Sequence, residues 1–163
     1  MKTVLTFVFI MVISYSSIAQ KESRAERRER RLNETKELLE SKQFVFNVKM
    51  VLPQSGRSID VSTDNYDFIV VNDSVISYLP FFGRAYSAGY GDEGGYKFES
   101  LHEDYKVTVS RNGKSYTATF TVKLSNDWLQ CIINASSPEA ANLSITGNKK
   151  AFISYTGDLS SKK

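Results

Sequence analysis

Residues that commonly carry catalysis are scarce in this sequence. His102 is its only histidine and Cys131 its only cysteine, so neither a zinc site nor an internal disulfide can be assembled from them. His102 lies in the stretch LHED, which is predicted to be a surface turn, and no nucleophile motif accompanies it. Cys131 lies on the apolar face of a predicted strand, which favours a core residue over a reactive thiol. We therefore predict a protein that is not an enzyme and that uses no metal or cofactor.

The segment Gly89–Gly94 has the G-x-G-x-x-G spacing of a dinucleotide-binding loop. Such a loop needs a helix after it, whereas Tyr96–Ser100 has strand character. Asp92 and Glu93 would repel a pyrophosphate, and two adjacent acids without further ligand spacing are weak support for a Ca²⁺ site. The glycines are therefore predicted to let the chain bend sharply between strands.

Aromatic side chains surround these glycines. Tyrosines among small, flexible residues are typical of recognition surfaces, so this loop is a candidate contact for a ligand or a partner. The candidate residues are Phe81, Phe82, Arg84, Tyr86, Tyr90 and Tyr96.

A cluster of arginines precedes the apolar part of the chain. It consists of Arg24, Arg27, Arg28, Arg30 and Arg31. A contact with nucleic acid or anionic lipid is one interpretation, and a solvated helix with alternating charges is the other. Glutamates are interleaved with the arginines, Glu26 and Arg30 form an i,i+4 pair, and the net charge is only +3. These features favour the solvated helix, and no nucleic-acid partner is predicted.

The same segment, Lys21–Lys42, is rich in Glu, Arg, Lys and Leu and lacks Gly and Pro, as expected of a helix. Its apolar residues come late, at Leu32, Leu38 and Leu39. Only the second half of the helix is therefore predicted to pack on the rest of the domain.

The first residues have the organisation of a secretory signal peptide. Lys2 is followed by the apolar run Val4–Ile13 and by the small-x-small pattern Ser17-Ile18-Ala19. The apolar run is about half of the ~20 residues that a membrane span needs. We expect a mature chain that begins near Gln20, has no transmembrane segment, and is exported to the periplasm or cell envelope.

The clearest strand signal is the predicted hairpin Tyr105–Lys123. Asn112-Gly113 is typical of a two-residue type I′ turn, in which both residues have positive φ. With Arg111 opposite Lys114, one face of the hairpin is apolar and the other polar. A hairpin alone is marginal in water, so further strands must extend the apolar face.

Short strands at regular spacing continue on both sides of this hairpin. Tyr66–Val71 and Ser74–Leu79 flank the turn Asn72-Asp73, and the whole pattern is typical of a sandwich or a barrel. Short turns favour antiparallel up-and-down pairing, and closure removes the exposed edges of a large sheet. We predict a mainly β fold, an antiparallel up-and-down barrel of about eight or more strands preceded by one charged α-helix. The predicted organisation is a signal peptide over 1–19, the helix over 20–42, the barrel over 43–156 and a polar tail over 157–163.

Alternation along the strands also predicts which side chains line the barrel interior. They are Phe44, Phe46, Phe68, Tyr105, Val107, Tyr116, Phe120 and Cys131.

The string SYLPFFGRAYSAGYGDEGGYKF, Ser77–Phe98, resembles the signature of a domain-of-unknown-function family of exported Bacteroidetes proteins. Its specific part is Leu79–Tyr86 followed by Gly94-Gly95. The resemblance extends over the whole chain and implies a lipocalin-like β-barrel in the periplasm or envelope. It implies no activity, because the family is uncharacterised.

The triplet Asp73-Ser74-Val75 resembles a short O-glycosylation motif of Bacteroidetes exported proteins. Because it lies at a predicted turn, Ser74 is a candidate glycosylation site.

Two functions agree with this sequence. The first is a non-enzymatic binding protein for a small apolar or amphipathic ligand held in the barrel. The alternative is a structural or protein-interaction module of the envelope that acts through its surface. A continuous void above ~300 Å³ inside the barrel would favour the first, and a filled barrel the second.

Overall fold

The computed structural model describes residues 22–86 and 94–162. The predicted signal peptide lies outside the described residues. So do Tyr90, Asp92 and Glu93, and only Gly94 of the segment Gly89–Gly94 is described. The elements, in chain order, are α1 (Arg24–Ser41), β1 (Gln43–Pro53), β2 (Ile59–Asp60), β3 (Asp67–Val71), β4 (Ser74–Pro80), β5 (Gly95–Val109), β6 (Tyr116–Leu124), β7 (Asp127–Ser137), β8 (Ala140–Gly147) and β9 (Ile153–Ser161).

The strands form one closed antiparallel barrel. From β3 to β9 each strand pairs with the next along the chain, and β1 pairs with β3 on one side and with β9 on the other. The short β2 continues the pairing along the second half of β1. The barrel therefore has eight strands, β1 and β3 to β9, and the predicted fold class is confirmed.

The barrel extends beyond the predicted boundary at residue 156. β9 continues to Ser161, where it lies opposite Phe44 of β1. Leu159 is buried there, so the segment keeps the two-residue alternation of a strand although most of its residues are polar. The predicted polar tail over 157–163 is wrong over 157–161.

Large side chains occupy the barrel interior. Of the eight predicted interior residues, the five that are fully or almost fully buried are Phe44, Phe46, Phe68, Phe120 and Cys131. The other three, Tyr105, Val107 and Tyr116, are partly buried and pack against this core. Tyr155, Leu129, Leu143 and Ile153 add further fully buried side chains that the sequence prediction did not name.

Helix α1 covers one end of the barrel. Ser23 and Glu26 form a capping box at its start, with Glu26 N–H donating to Ser23 Oγ and Ser23 N–H donating to Glu26 Oε2. Thr35 and Leu39 in its second half are fully buried, as the late apolar residues predict. Tyr105 Oη–H of β5 donates to the Leu39 carbonyl at 2.6 Å and ties the helix to the barrel.

The central hairpin has the predicted register but a different turn. Val109 lies opposite Tyr116, as predicted. Asn112 does not have a positive φ, whereas Gly113 has a φ of 64°, and Gly113 N–H donates to the Ser110 carbonyl. Ser110 Oγ accepts from the backbone N–H groups of Lys114 and Ser115, so the serine side chain stabilises a longer loop than the predicted type I′ turn.

The predicted turn at residues 101–104 is a β-bulge within the continuous strand β5. Asp104 has a φ of 56°, and the pairing with β6 shifts by one residue between Glu103 and Lys106. The bulge changes which face each residue takes, so both His102 and Tyr105 turn toward the core. His102 is only 7% exposed, and its prediction as a surface residue is wrong.

A substitution of Phe120, which packs against three other rings, tests this core. Its ring lies 5.3 Å from Tyr105, 5.5 Å from His102 and 6.1 Å from Phe68, measured between ring centroids. We expect Phe120→Ala to lower the free energy of unfolding by about 3–5 kcal/mol in urea denaturation, because it leaves a cavity that the barrel cannot close. The control Leu101→Ala removes a side chain that is 64% exposed and should change it by no more than about 0.5 kcal/mol. Equal effects of the two substitutions would contradict the assigned core.

Candidate binding cleft opposite the helix

The barrel wall is open between the first half of β5 and the end of β6. β5 pairs with β6 only from His102, which lies opposite Val122, and β6 ends at Leu124. The preceding residues Gly95–Leu101 pair with β4 on their other side. Their edge toward β6 has no strand partner within residues 22–86 and 94–162 and forms one wall of a cleft.

The cleft has a volume of about 510 Å³ and opens to solvent. It lies at the end of the barrel opposite α1, because the β6–β7 turn forms its second wall and α1 packs near the β7–β8 turn. Its lining consists of Gly95, Tyr96, Lys97, Phe98, Glu99, Ser100, Lys123, Leu124, Ser125, Asn126, Asp127, Lys149 and Lys150.

Among the described residues, four lysines and two carboxylates line the cleft. Lys123 Nζ lies 2.7 Å from the Glu103 carboxylate, whose hydrogen bond and charge raise the pKa of Lys123. The Asp127 carboxylate accepts the backbone N–H groups of Asn148 at 3.0 Å and Lys149 at 3.4 Å. The negative charge of Asp127 thus holds the neighbouring loop in place.

Lys150 is the buried cation of this end of the barrel. Its Nζ donates to the Gly95 carbonyl at 2.6 Å. It also lies 5.0 Å from the ring centroid of Tyr96 and 5.5 Å from that of Phe81, within cation–π range of both. Backbone and aromatic contacts therefore fix the ammonium group at the beginning of β5.

Tyr96 contributes a buried phenol beside Lys150. Burial raises the pKa of Tyr96, with a smaller contribution from the charge of Asp127, so the phenol stays protonated. Its Oη is buried and has no hydrogen-bond partner among residues 22–86 and 94–162. An unsatisfied buried donor costs about 1–3 kcal/mol, so an acceptor that reached this hydroxyl would be stabilised.

A short backbone strap crosses the same end of the barrel. Ala85 forms an antiparallel bridge with Lys150. Tyr86 N–H donates to the Lys149 carbonyl at 2.7 Å, and Ala151 N–H donates to the Arg84 carbonyl at 2.9 Å. The strap holds the connection after β4 against the loop that carries Lys150.

The predicted ligand loop divides into two groups in the structure. Phe82, Arg84 and Tyr86 are exposed. Phe81 is half-buried and Tyr96 is buried, and their rings meet edge to face at 5.8 Å. The expectation that Tyr96 is an exposed recognition residue is therefore wrong, although Tyr96 lines the cleft.

Sequence reasoning missed Lys150 because lysines in a polar turn are normally solvated. The only hint is the apolar Ala151 that follows the pair Lys149-Lys150. The burial of Lys150 depends on Gly95 and Phe81, which are distant in sequence, so no local pattern could reveal it.

His102 and Cys131 lie in the core, away from the cleft lining. His102 Nε2 lies 2.8 Å from the Asn72 carbonyl and carries the proton of that hydrogen bond, since a carbonyl only accepts. His102 Nδ1 is buried and has no partner among the described residues. Residues 22–86 and 94–162 contain no group of three or more His, Cys, Asp or Glu side chains that could hold a metal.

Ser74 is partly buried at the first position of β4, opposite Val71. Its glycosylation stays a prediction. Within the described residues, no helix is both long and apolar enough to cross a bilayer.

Comparisons with known proteins agree with this fold. A family model described as a domain of unknown function, DUF4251, matches residues 26–159. Among solved structures, the chain is similar to a DUF4251 family protein from Bacteroides eggerthii DSM 20697, with a TM-score of 0.61 and 16% sequence identity. That match covers 82% of this chain and 91% of the other. No curated protein matches the chain.

The burial of Cys131 gives a direct test of the barrel core. Burial raises the pKa of the Cys131 thiol, and the side chain is fully inaccessible. We expect a maleimide reagent to leave the native protein unlabelled at neutral pH, as measured by intact mass. The same protein in concentrated guanidinium chloride should take up one label rapidly. Equally fast labelling in both states would show that Cys131 is not a core residue.

Proposed function

The chain belongs to the DUF4251 family of domains of unknown function. From its own cleft, we propose that it is a non-enzymatic protein that binds a small amphipathic molecule carrying an anionic group. The single observation that supports this most strongly is the open barrel wall beside the buried cation Lys150.

The cleft, rather than the barrel interior, suits such a ligand. Four grooves of 340–510 Å³ are lined by described residues, and all of them open to solvent. None is lined by the core aromatics Phe44, Phe46 or Phe120. The 510 Å³ cleft lies in the size range of small-molecule sites, ~300–1,000 Å³.

The lining suggests how the two parts of the ligand would be held. Phe98 and Leu124 offer apolar contact, and Lys150 offers a positioned ammonium group. The protonated Tyr96 hydroxyl is a second donor for an acceptor that enters deeply. An anionic head with an apolar body would use all of these groups.

We also infer that the protein acts after export to the periplasm or envelope. The support is the sequence of residues 1–19, with its apolar run and small-x-small pattern.

A fluorescent amphipathic anion can test whether the cleft binds ligands of this class. Titration with anilinonaphthalene sulfonate, followed by fluorescence, should give saturable binding to the purified protein. Lys150→Met keeps the apolar stem and removes the charge, so we expect the dissociation constant to rise at least fivefold. The matched control Lys106→Met removes the same charge from an exposed strand position and should change it less than twofold.

Thermal melts of both variants must accompany the titration, because Lys150 also holds Gly95. Equal affinity of Lys150→Met and the unaltered protein would contradict the proposal, as would equal weakening by the control. Native mass spectrometry of protein purified from its own host then identifies the natural ligand, which should be a small anionic amphiphile.

A surface-acting envelope module is the second candidate. It is favoured by the filled interior and by the exposed aromatic side chains Phe82 and Tyr86 beside the strap, which are 43% and 62% exposed. A specific protein that co-purifies with the unaltered chain but not with Phe82→Ser/Tyr86→Ser would support this candidate.

A further inference from the structure

Four of the five clustered arginines share one face of α1. Arg24, Arg27, Arg28 and Arg31 follow the i, i+3, i+4, i+7 spacing that places side chains in one row along a helix. The row is about 10 Å long, since each residue rises 1.5 Å. It begins at the N-terminal end of the helix, where the helix dipole also favours anions.

This row lines a groove that opens to solvent. The four arginines form one wall, and Ser136 and Ser137 at the end of β7 form the other. The groove has a volume of about 400 Å³. It lies at the helix-covered end of the barrel, opposite the proposed ligand cleft, so it is independent of that proposal.

The arginines of the groove are only partly neutralised. Arg27 lies 3.6 Å from Glu22, and Arg31 lies 3.3 Å from Glu139, both in exposed ion pairs. The side chains of Arg24 and Arg28 have no ion pair or hydrogen bond with any residue in 22–86 or 94–162. Like charges at i,i+4 destabilise a helix, so an anion bound between them would be stabilising.

The fifth arginine, Arg30, shows that the charges are separated around the helix. Its guanidinium pairs with Glu22 at 3.0 Å and Glu34 at 3.1 Å, and its hydrogen bond to Glu22 lowers the pKa of that carboxyl. Arg30 lines a different groove, together with Glu26, Glu29, Asn33, Glu34 and Glu37. Charges that alternate along the sequence therefore lie on two sides of the helix, one basic and one largely acidic.

We propose that the basic groove, defined by Arg24, Arg27, Arg28, Arg31, Ser136 and Ser137, binds a ligand that carries two neighbouring phosphate groups. Guanidinium groups match phosphate oxygens in paired hydrogen bonds, and a row of four provides donors for two such groups. Ser136 on the opposite wall supplies a further hydroxyl donor, whereas the Ser137 hydroxyl hydrogen-bonds the Glu139 carboxylate. The groove needs a group that enters between two walls, which a flat membrane surface does not provide. The net charge of +3 and the acidic side of the same helix disfavour nucleic acid.

Inorganic pyrophosphate is the simplest probe of this chemistry. Isothermal titration calorimetry at low ionic strength should show one binding site on the purified protein, with weaker binding of orthophosphate. Arg24→Gln/Arg28→Gln keeps good helix formers and removes the two arginines without partners, so we expect at least tenfold weaker pyrophosphate binding. The control Arg57→Gln/Arg111→Gln removes the same charge from two exposed positions and should change the affinity less than twofold.

Circular dichroism melts establish that all variants fold alike. The absence of pyrophosphate binding, equal losses in both double variants, or equal affinity for orthophosphate would each overturn the proposal. A co-sedimentation assay with vesicles that contain phosphatidylglycerol tests the alternative of a membrane surface. If the protein sediments with these vesicles and pyrophosphate does not release it, the arginines bind a membrane surface and the proposal is overturned.

Discussion

The antiparallel pairing of the first and last strands is the constraint on which the rest of the structure depends. β1 and β9 pair from Phe44 with Ser161 to Pro53 with Ile153, with one register shift near Val48. Gly157 makes this approach feasible, because a Cβ at that position would overlap the Asn47 carbonyl. Without the pairing, both strands would be long exposed edges, and the aromatic interior would open to water.

Closure also explains where functional surfaces can lie. Large buried side chains occupy the interior, which is why the sites that we propose lie at the ends of the barrel. α1 covers one end of the barrel and carries arginines there without ion-pair partners among the described residues. The opposite end is open because the first half of β5 extends beyond its pairing with β6. Unequal strand lengths therefore create the cleft, and we propose that the two ends bind different anionic groups.

The sequence predicts the barrel well because alternation and short turns are local signals. It misplaces His102 because one left-handed residue, Asp104, turns a predicted loop into a bulge and reverses the side-chain faces. The sequence does not predict the continuation of β9 to Ser161, because most of the residues there are polar. Their position is set by pairing with β1, which is distant in sequence. The site is less predictable still, since the burial of Lys150 and the row of arginines arise from the three-dimensional arrangement of the chain.

Native-state amide hydrogen exchange tests closure most directly. If β1 and β9 close the barrel, their ladder amides should be as strongly protected as those of β6 and β7, and should open with them in one cooperative step. Exchange of the β9 amides at the rate of a frayed edge, while β6 and β7 remain protected, would contradict the closed barrel and the two ends that follow from it.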